Sequence, residues 1–211
     1  MGGLFILTYN PPMDLQNHSQ FLLMQKLTFL INRYEYFLYD NGEQGEQIAF
    51  VEQKRFAFRE HITVWKNDHK SETLFTVRAE KILDVHGKFL VEDEAGRPLG
   101  CCRKAFGSSL LRSTWEVHDA NGQVLFVAKE KSPVVAIIRR VLQFVPDIGA
   151  FANFVPFNFV FEHNGQVVGS HHRVWGSLSD RYALEVGGAL KTLDRRLLLA
   201  LGILLDALQD R

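Results

Sequence analysis

The sequence predicts a mainly β protein: a closed barrel of about twelve mostly antiparallel strands around a buried hydrophobic C-terminal α-helix, with one helical insertion. Three observations lead to this fold class: a repeated hairpin, strands that alternate apolar and polar residues, and one apolar segment of helical length. The chain has 211 residues, of which 46% are hydrophobic, so it can bury a large core. We therefore predict a single domain over residues 1–211 with its core at about 21–208.

The hairpin repeat runs between residues 34 and 130. Each unit is a strand rich in aromatic and β-branched residues, a turn with Asn, Asp or Glu and usually Gly, and a second strand. The turns are centred near positions 42, 69, 96 and 122, so successive centres differ by 27, 27 and 26 residues. A fifth unit is centred on Asn164-Gly165 after an interval of 43 residues, which indicates an insertion before it.

The strands in these units have the pattern of half-buried strands. In the stretches Tyr34–Tyr39 and Trp115–His118, large apolar side chains are interleaved with polar ones, most regularly in the second. Adding residues 21–27 at the front and 181–186 at the back gives about twelve strands. An open sheet of that size would leave two long edges, so we expect closure into a barrel or two packed sheets.

The C-terminal segment, residues 194–208 (DRRLLLALGILLDAL), is either a membrane span or a helix inside the barrel. A fifteen-residue helix is roughly 22 Å long, short of the ~30 Å hydrocarbon core of a bilayer. Its charged flanks would lie close to the bilayer centre, which is costly. A barrel of twelve strands is roughly 24 Å wide, and its inward side chains leave room for one helix. These arguments favour a central helix at 194–208.

The charge balance and the cysteine content indicate which cellular location and which classes of binding partner to expect. The 24 basic residues balance the 24 acidic ones, so no nucleic acid partner is expected. Cys101 and Cys102 are adjacent and cannot join distant segments, which is typical of a reducing compartment. We expect one of the pair in the core and one on the surface. The N-terminus lacks the basic region of a signal peptide, and a cytoplasmic protein, in solution or peripheral at the membrane, is predicted.

A search for catalytic patterns finds none of the common ones, such as G-x-S-x-G, a Walker loop, G-x-G-x-x-G or H-E-x-x-H. His171 and His172 are neighbours on a strand and point to opposite faces, so they cannot chelate one metal. Asp119-x-Asn121-Gly122 is interpreted as a turn because its Gly comes too early for an EF-hand loop. The sequence thus predicts no enzyme, no catalytic, cofactor-binding or metal-ligating residue, and no cofactor. Asp206 is expected near the barrel mouth with a basic or hydroxyl partner.

The insertion at residues 133–156 is the segment predicted to carry function. Its first part, Pro133–Val145, has the pattern of a helix with a narrow polar stripe. Three interpretations stay open: cover over a barrel end or sheet edge, attachment to an anionic membrane surface, and binding in the groove of a protein partner. The candidate membrane or partner contacts are Arg139, Arg140, Phe144, Phe151 and Phe154.

Several segments of the sequence are similar to a known protein family. The most specific is the run Val174–Val186 (VWGSLSDRYALEV), followed by the apolar helix with Leu205-Asp206 near its end. Together with Met24-Gln25-Lys26 and the hairpin around Gly42, this run resembles the LURP-one-related proteins. These belong with phospholipid scramblases and Tubby C-terminal domains in one structural superfamily. The likeness covers about residues 21–208 and implies a twelve-stranded barrel threaded by a hydrophobic helix.

For function, the resemblance implies a non-enzymatic barrel that binds a lipid surface or a macromolecular partner. The alternative is a scramblase-like protein that moves phospholipids across a bilayer. The calcium loop of scramblases is not matched, because Asp180 is followed directly by Arg181 and no cluster of oxygen ligands surrounds it. The acylated cysteine cluster of scramblases and the basic phosphoinositide patch of Tubby domains have no counterpart that can be placed here, and the oligomeric state is not indicated.

Overall fold

The computed structural model describes residues 14–27, 31–54, 61–80, 87–105, 113–132, 158–175, 180–190 and 192–208. Within these ranges, twelve strands form one closed barrel and a single α-helix, α1, runs through it, which confirms the predicted barrel and its central helix. The predicted helical insertion at 133–156 lies outside the described residues. The bounds are β1 Gln20–Leu27, β2 Ile31–Asp40, β3 Glu43–Lys54, β4 His61–Trp65, β5 Thr73–Ala79, β6 Lys88–Glu92, β7 Pro98–Lys104, β8 Thr114–Asp119, β9 Val124–Glu130, β10 Phe159–His163, β11 Gln166–Arg173, β12 Asp180–Val186 and α1 Arg195–Ala207.

Strand pairing follows the order of the chain. Each strand pairs antiparallel with the next, and β1 pairs with β12 to close the barrel, with Gln20 opposite Glu185 and Gln25 opposite Asp180. Closure removes the unpaired strand edges of an open sheet, the reason for which a barrel was predicted.

The two ends of the barrel differ. The five tight turns, between β2 and β3, β4 and β5, β6 and β7, β8 and β9, and β10 and β11, all lie at one end, which we call the hairpin end. Because β12 also finishes there, α1 begins at the hairpin end and runs to the opposite end, which we call the distal end. The strands β7, β9 and β11 finish at the distal end, as does α1.

Two of the tight turns, 26 residues apart in the chain, have the same structure. Asp93 and Asp119 each use one carboxylate oxygen to accept the backbone N–H groups two and four residues later, at 2.8–2.9 Å. Gly96 and Gly122 follow with φ of 76° and 83°, a left-handed conformation that favours glycine. The interpretation of the Asp119 segment as a turn is therefore confirmed.

Helix α1 fills the barrel. Asp194 caps it by accepting the backbone N–H of Arg196 at 2.9 Å. From Leu197 to Leu205 its apolar side chains are at most 1% exposed, and a fully buried leucine contributes about 1.5–3 kcal/mol. The predicted central helix is confirmed, and its apolar circumference follows from contact with strands on all sides.

The cysteine pair differs from expectation. Cys102 points at the helix and is fully buried, as expected for the core member of the pair. Cys101 points to the other face of β7 but is only 8% exposed, so the expected surface position is wrong. Burial raises the pKa of both thiols, which keeps them in the protonated, less reactive form.

On the outer surface, Glu52 connects three neighbouring elements. It accepts Arg33 Nε and Lys70 Nζ, both at 2.7 Å, and so ties β2 and the β4–β5 turn to β3. Lys70 also lies 5.2 Å from the ring centre of Trp65 on β4. The backbone pairing described between β3 and β4 joins Phe50 and Trp65. The ion pairs of Glu52 therefore add side-chain contacts where the described backbone pairing is short.

We expect Glu52→Gln to lower the free energy of unfolding by about 0.5–1 kcal/mol at pH 7, the range of partly exposed ion pairs. The hydrogen bonds from Lys70 and Arg33 lower the pKa of Glu52. A carboxyl whose pKa is lowered on folding contributes stability above its unfolded pKa of about 4.3, and that contribution disappears as the pH falls through the folded value. Urea unfolding of the wild type and of Glu52→Gln, measured from pH 7 to pH 3, gives the difference between their free energies of unfolding. A difference that does not shrink as the pH falls would contradict the stabilising role of the Glu52 ion pairs.

Candidate functional site

Helix α1 occupies the interior of the barrel, and two clefts lined by described residues lie at one end of the barrel. At the hairpin end, an open cleft of about 640 Å³ lies between residues 17–20 and 38–45. A second cleft of about 450 Å³ lies beside the first turn of α1, where Arg196 pairs with Asp194 and approaches Glu94 at 3.6 Å. Both clefts are open to solvent, and the charged residues that line the second are paired with one another, Lys66 with Glu72 and Arg196 with Glu94.

The distal end is different because polar side chains occupy inward positions there. The barrel wall is apolar over most of its length, but inward positions near the distal ends of several strands carry groups able to form hydrogen bonds or ion pairs. These are Gln25, Tyr34, Lys104, Glu130, Arg173 and Asp180. The distal end is therefore the candidate functional site.

Asp206, near the end of α1, belongs to this polar layer. Gln25 Nε2 donates to Asp206 Oδ2 and lies 3.2 Å from Tyr34 Oη. An amide donor is thus one partner of the carboxylate, and the basic or hydroxyl partner expected from the sequence stays a prediction. Seven residues earlier in α1, the carbonyl of Leu199 accepts a hydrogen bond from Tyr36 Oη at 2.6 Å. Burial, followed by the charge of Asp206, raises the pKa of Tyr36 well above its usual value.

Trp175 is the exposed aromatic residue of the distal end. It follows β11, and 70% of its surface is exposed, the largest value among the exposed large hydrophobic residues of the described ranges. The guanidinium carbon of Arg173 lies 5.1 Å from the centre of its ring, and Arg173 Nη2 donates to Asp180 Oδ1 at 2.6 Å. The indole and the guanidinium therefore form one amphipathic pair at the rim.

Asn158 joins this pair to the ends of β9 and β10. Its side-chain oxygen accepts the backbone N–H of Arg173 at 2.9 Å, and its carbonyl accepts the backbone N–H of Lys131 at 2.7 Å. Residues 133–157 connect Ser132 to Asn158, so one of their attachment points is hydrogen-bonded to Arg173 and the other directly follows Lys131, which is hydrogen-bonded to Asn158.

The candidate contacts predicted from the sequence lie outside the described residues: Arg139, Arg140, Phe144, Phe151 and Phe154. They stay predictions. The sequence reasoning did not single out Trp175 as a contact residue, although a tryptophan directly after a strand and before Gly176-Ser177 was a usable signal for an exposed aromatic residue. His171 stacks on Tyr182 with ring centres 4.8 Å apart.

The fold and its filled interior define the class of protein: a closed antiparallel barrel with a central apolar helix and polar groups at its distal mouth. No helix in the described part of the chain is long and apolar enough to cross a membrane. Residues 47–206 match the model of the LURP-one-related family, from the middle of β3 to the last turn of α1. The chain belongs to the LURP-one-related family. No curated protein matches it significantly.

Proposed function

We propose that this protein is a non-enzymatic, cytoplasmic barrel that binds an anionic membrane surface peripherally through its distal end. The observation that carries the proposal is the exposed Trp175 beside the Arg173 guanidinium at that end. Tryptophan favours the interface between water and lipid because its ring is apolar and its N–H can stay in contact with polar groups.

A single exposed aromatic residue is common on protein surfaces and would mean little alone. Here the segment attached next to it has the composition of an interfacial contact, with Arg139 and Arg140 for anionic headgroups and three phenylalanines for the acyl boundary. A cation near an anionic surface contributes about 1 kcal/mol. The exposed indole and the two arginines of the insertion together support membrane contact at one end of the barrel.

Scramblase-like translocation gains no comparable support. It would require α1 to leave the barrel, although the side chains of Leu198 and Leu201 are fully buried among the strands. Extracting the helix would expose its apolar surface and that of the barrel wall at the same time.

The test is co-sedimentation with vesicles of phosphatidylcholine alone and of phosphatidylcholine with phosphatidylserine. We expect wild-type protein to pellet with the anionic vesicles, and Trp175→Ser to weaken this binding several-fold. Replacing both Arg139 and Arg140 by Ala should weaken it by about 30-fold, equivalent to about 2 kcal/mol. Val167→Ser is the matched control, since Val167 is 69% exposed but lies at the hairpin end.

Failure of the wild type to bind anionic vesicles would contradict the proposal and would leave a protein partner as the explanation for the exposed rim. Equal losses for Trp175→Ser and Val167→Ser would show that the distal end is not the contact surface.

A further inference from the structure

A second feature of the distal end lies inside the barrel wall, on β7 and β8. Lys104 is the last residue of β7 and is paired across the strands with Trp115 of β8. Both point inward, because Lys104 shares its face of β7 with the fully buried Cys102 and Trp115 belongs to the core. The ammonium nitrogen of Lys104 lies 5.9 Å from the centre of the Trp115 ring.

Both residues have hydrogen-bonding capacity that the described protein does not use. Trp115 is fully buried, yet its indole N–H meets no acceptor in the described part of the chain. Lys104 Nζ forms no ion pair with a carboxylate in the described ranges; its described partner is the face of the indole ring. A buried N–H without an acceptor costs about 1–3 kcal/mol, so a group that accepts from it would recover this energy.

We infer that Lys104 and Trp115 form a site for a carboxylate or phosphate group. Only acceptors would satisfy both groups, since an indole N–H and an ammonium donate and cannot accept. Hydrogen bonds to both groups need acceptor oxygens about 3 Å from each nitrogen. A ligand with two or more such oxygens could contact both donors at once.

The surroundings indicate what else such a ligand would contain. The Phe89 ring centre lies 6.1 Å from that of Trp115, so an aromatic wall borders the donors. On the neighbouring strand, the buried carboxylate of Glu130 accepts the backbone N–H of Ser113 at 3.3 Å. A ligand with an anionic group and an attached apolar chain would place the anion on Lys104 and the chain against the rings of Trp115 and Phe89. The anion could come from a single-chain amphiphile or from a free ion, and the experiment separates these sources.

Isothermal titration calorimetry of the full chain tests the site with three probes: dodecyl phosphate below its micelle concentration, inorganic phosphate, and uncharged dodecanol. We expect saturable binding of dodecyl phosphate at one site and none of dodecanol. Lys104→Met, which keeps the apolar stem, should raise the Kd about tenfold, equivalent to 1.4 kcal/mol. Trp115→Phe, which keeps a ring but removes the N–H, should raise it several-fold. Thermal unfolding of each variant checks that the barrel is intact.

Lys66→Met is the matched control, because Lys66 is 49% exposed at the hairpin end and pairs with Glu72; its Kd should equal that of the wild type. Binding of inorganic phosphate that is weakened by Lys104→Met identifies a free-anion site, while binding of dodecyl phosphate alone identifies an amphiphile site. Absence of saturable binding of both anions, or an unchanged Kd in Lys104→Met, overturns the inference. The inference does not depend on the proposed membrane contact: Trp175→Ser should bind dodecyl phosphate as the wild type does, even if vesicle binding is absent.

Discussion

Arg195→Met is expected to lower the free energy of unfolding by about 3 kcal/mol, because it removes a buried charged donor from three carbonyl groups. Arg195 is only 5% exposed although it is charged. Its guanidinium donates to the carbonyls of His18 at 2.8 Å, Leu190 at 3.0 Å and Leu193 at 3.1 Å. A methionine of similar length would leave these carbonyls without their charged donor and would separate the three segments that close the hairpin end.

The matched control for this experiment is Arg196→Met, one residue further along α1. Arg196 is 23% exposed and pairs with Asp194 and Glu94 near the surface, so its loss should cost about 1 kcal/mol or less. Urea unfolding followed by far-UV circular dichroism gives both values. Equal losses in the two variants would contradict the role assigned to the carbonyl contacts of Arg195.

Gly202→Ala is expected to destabilise the protein by about 1–3 kcal/mol, even though alanine favours a helix more than glycine does by about 1 kcal/mol. A methyl carbon on Gly202 would lie 2.5 Å from Tyr36 Oη and 2.7 Å from Leu184 Cδ2, closer than such atoms approach. Both neighbours are fully buried, so neither can move away without disturbing the barrel wall. Thermal or urea unfolding measures the change.

A double replacement identifies the cause of this loss. In a Tyr36→Phe background the hydroxyl that the new methyl would meet is absent, so Gly202→Ala should cost less there than in the wild type. The difference between the two costs reports the contact between the Gly202 position and the Tyr36 hydroxyl. If Gly202→Ala were stabilising in both backgrounds, the close approach of α1 to β2 would not be the reason for a glycine at position 202.

Most of the fold could be predicted because each hairpin is specified locally. The carboxylate of Asp119 organises its own turn through backbone N–H groups within four residues, and a sequence pattern can reveal interactions of such short range. The central helix could be predicted for a different reason: an apolar segment too short for a bilayer needs another apolar environment around it.

The parts that could not be predicted depend on contacts between distant residues. Arg195 and Arg196 have the same chemistry and adjacent positions, yet only Arg195 turns towards the carbonyl of His18, a residue 177 positions earlier in the chain. The pairing of Lys104 with Trp115 likewise depends on the register of β7 and β8, which the sequence pattern does not give to single-residue accuracy. The barrel could therefore be predicted from the sequence, whereas the candidate site could be identified only from the structure.

The position of α1 in the sequence has a consequence for the way the protein is made. The ribosome synthesises eleven strands before it reaches β12, which closes the barrel, and α1, which fills it. Until residues 195–207 have left the ribosome, the inner faces of those strands have no core to pack against. The nascent chain must therefore hold a broad apolar surface in an unfinished state. We expect the barrel to fold only after α1 has left the ribosome, and to depend on chaperones more than a domain whose core forms from its first residues.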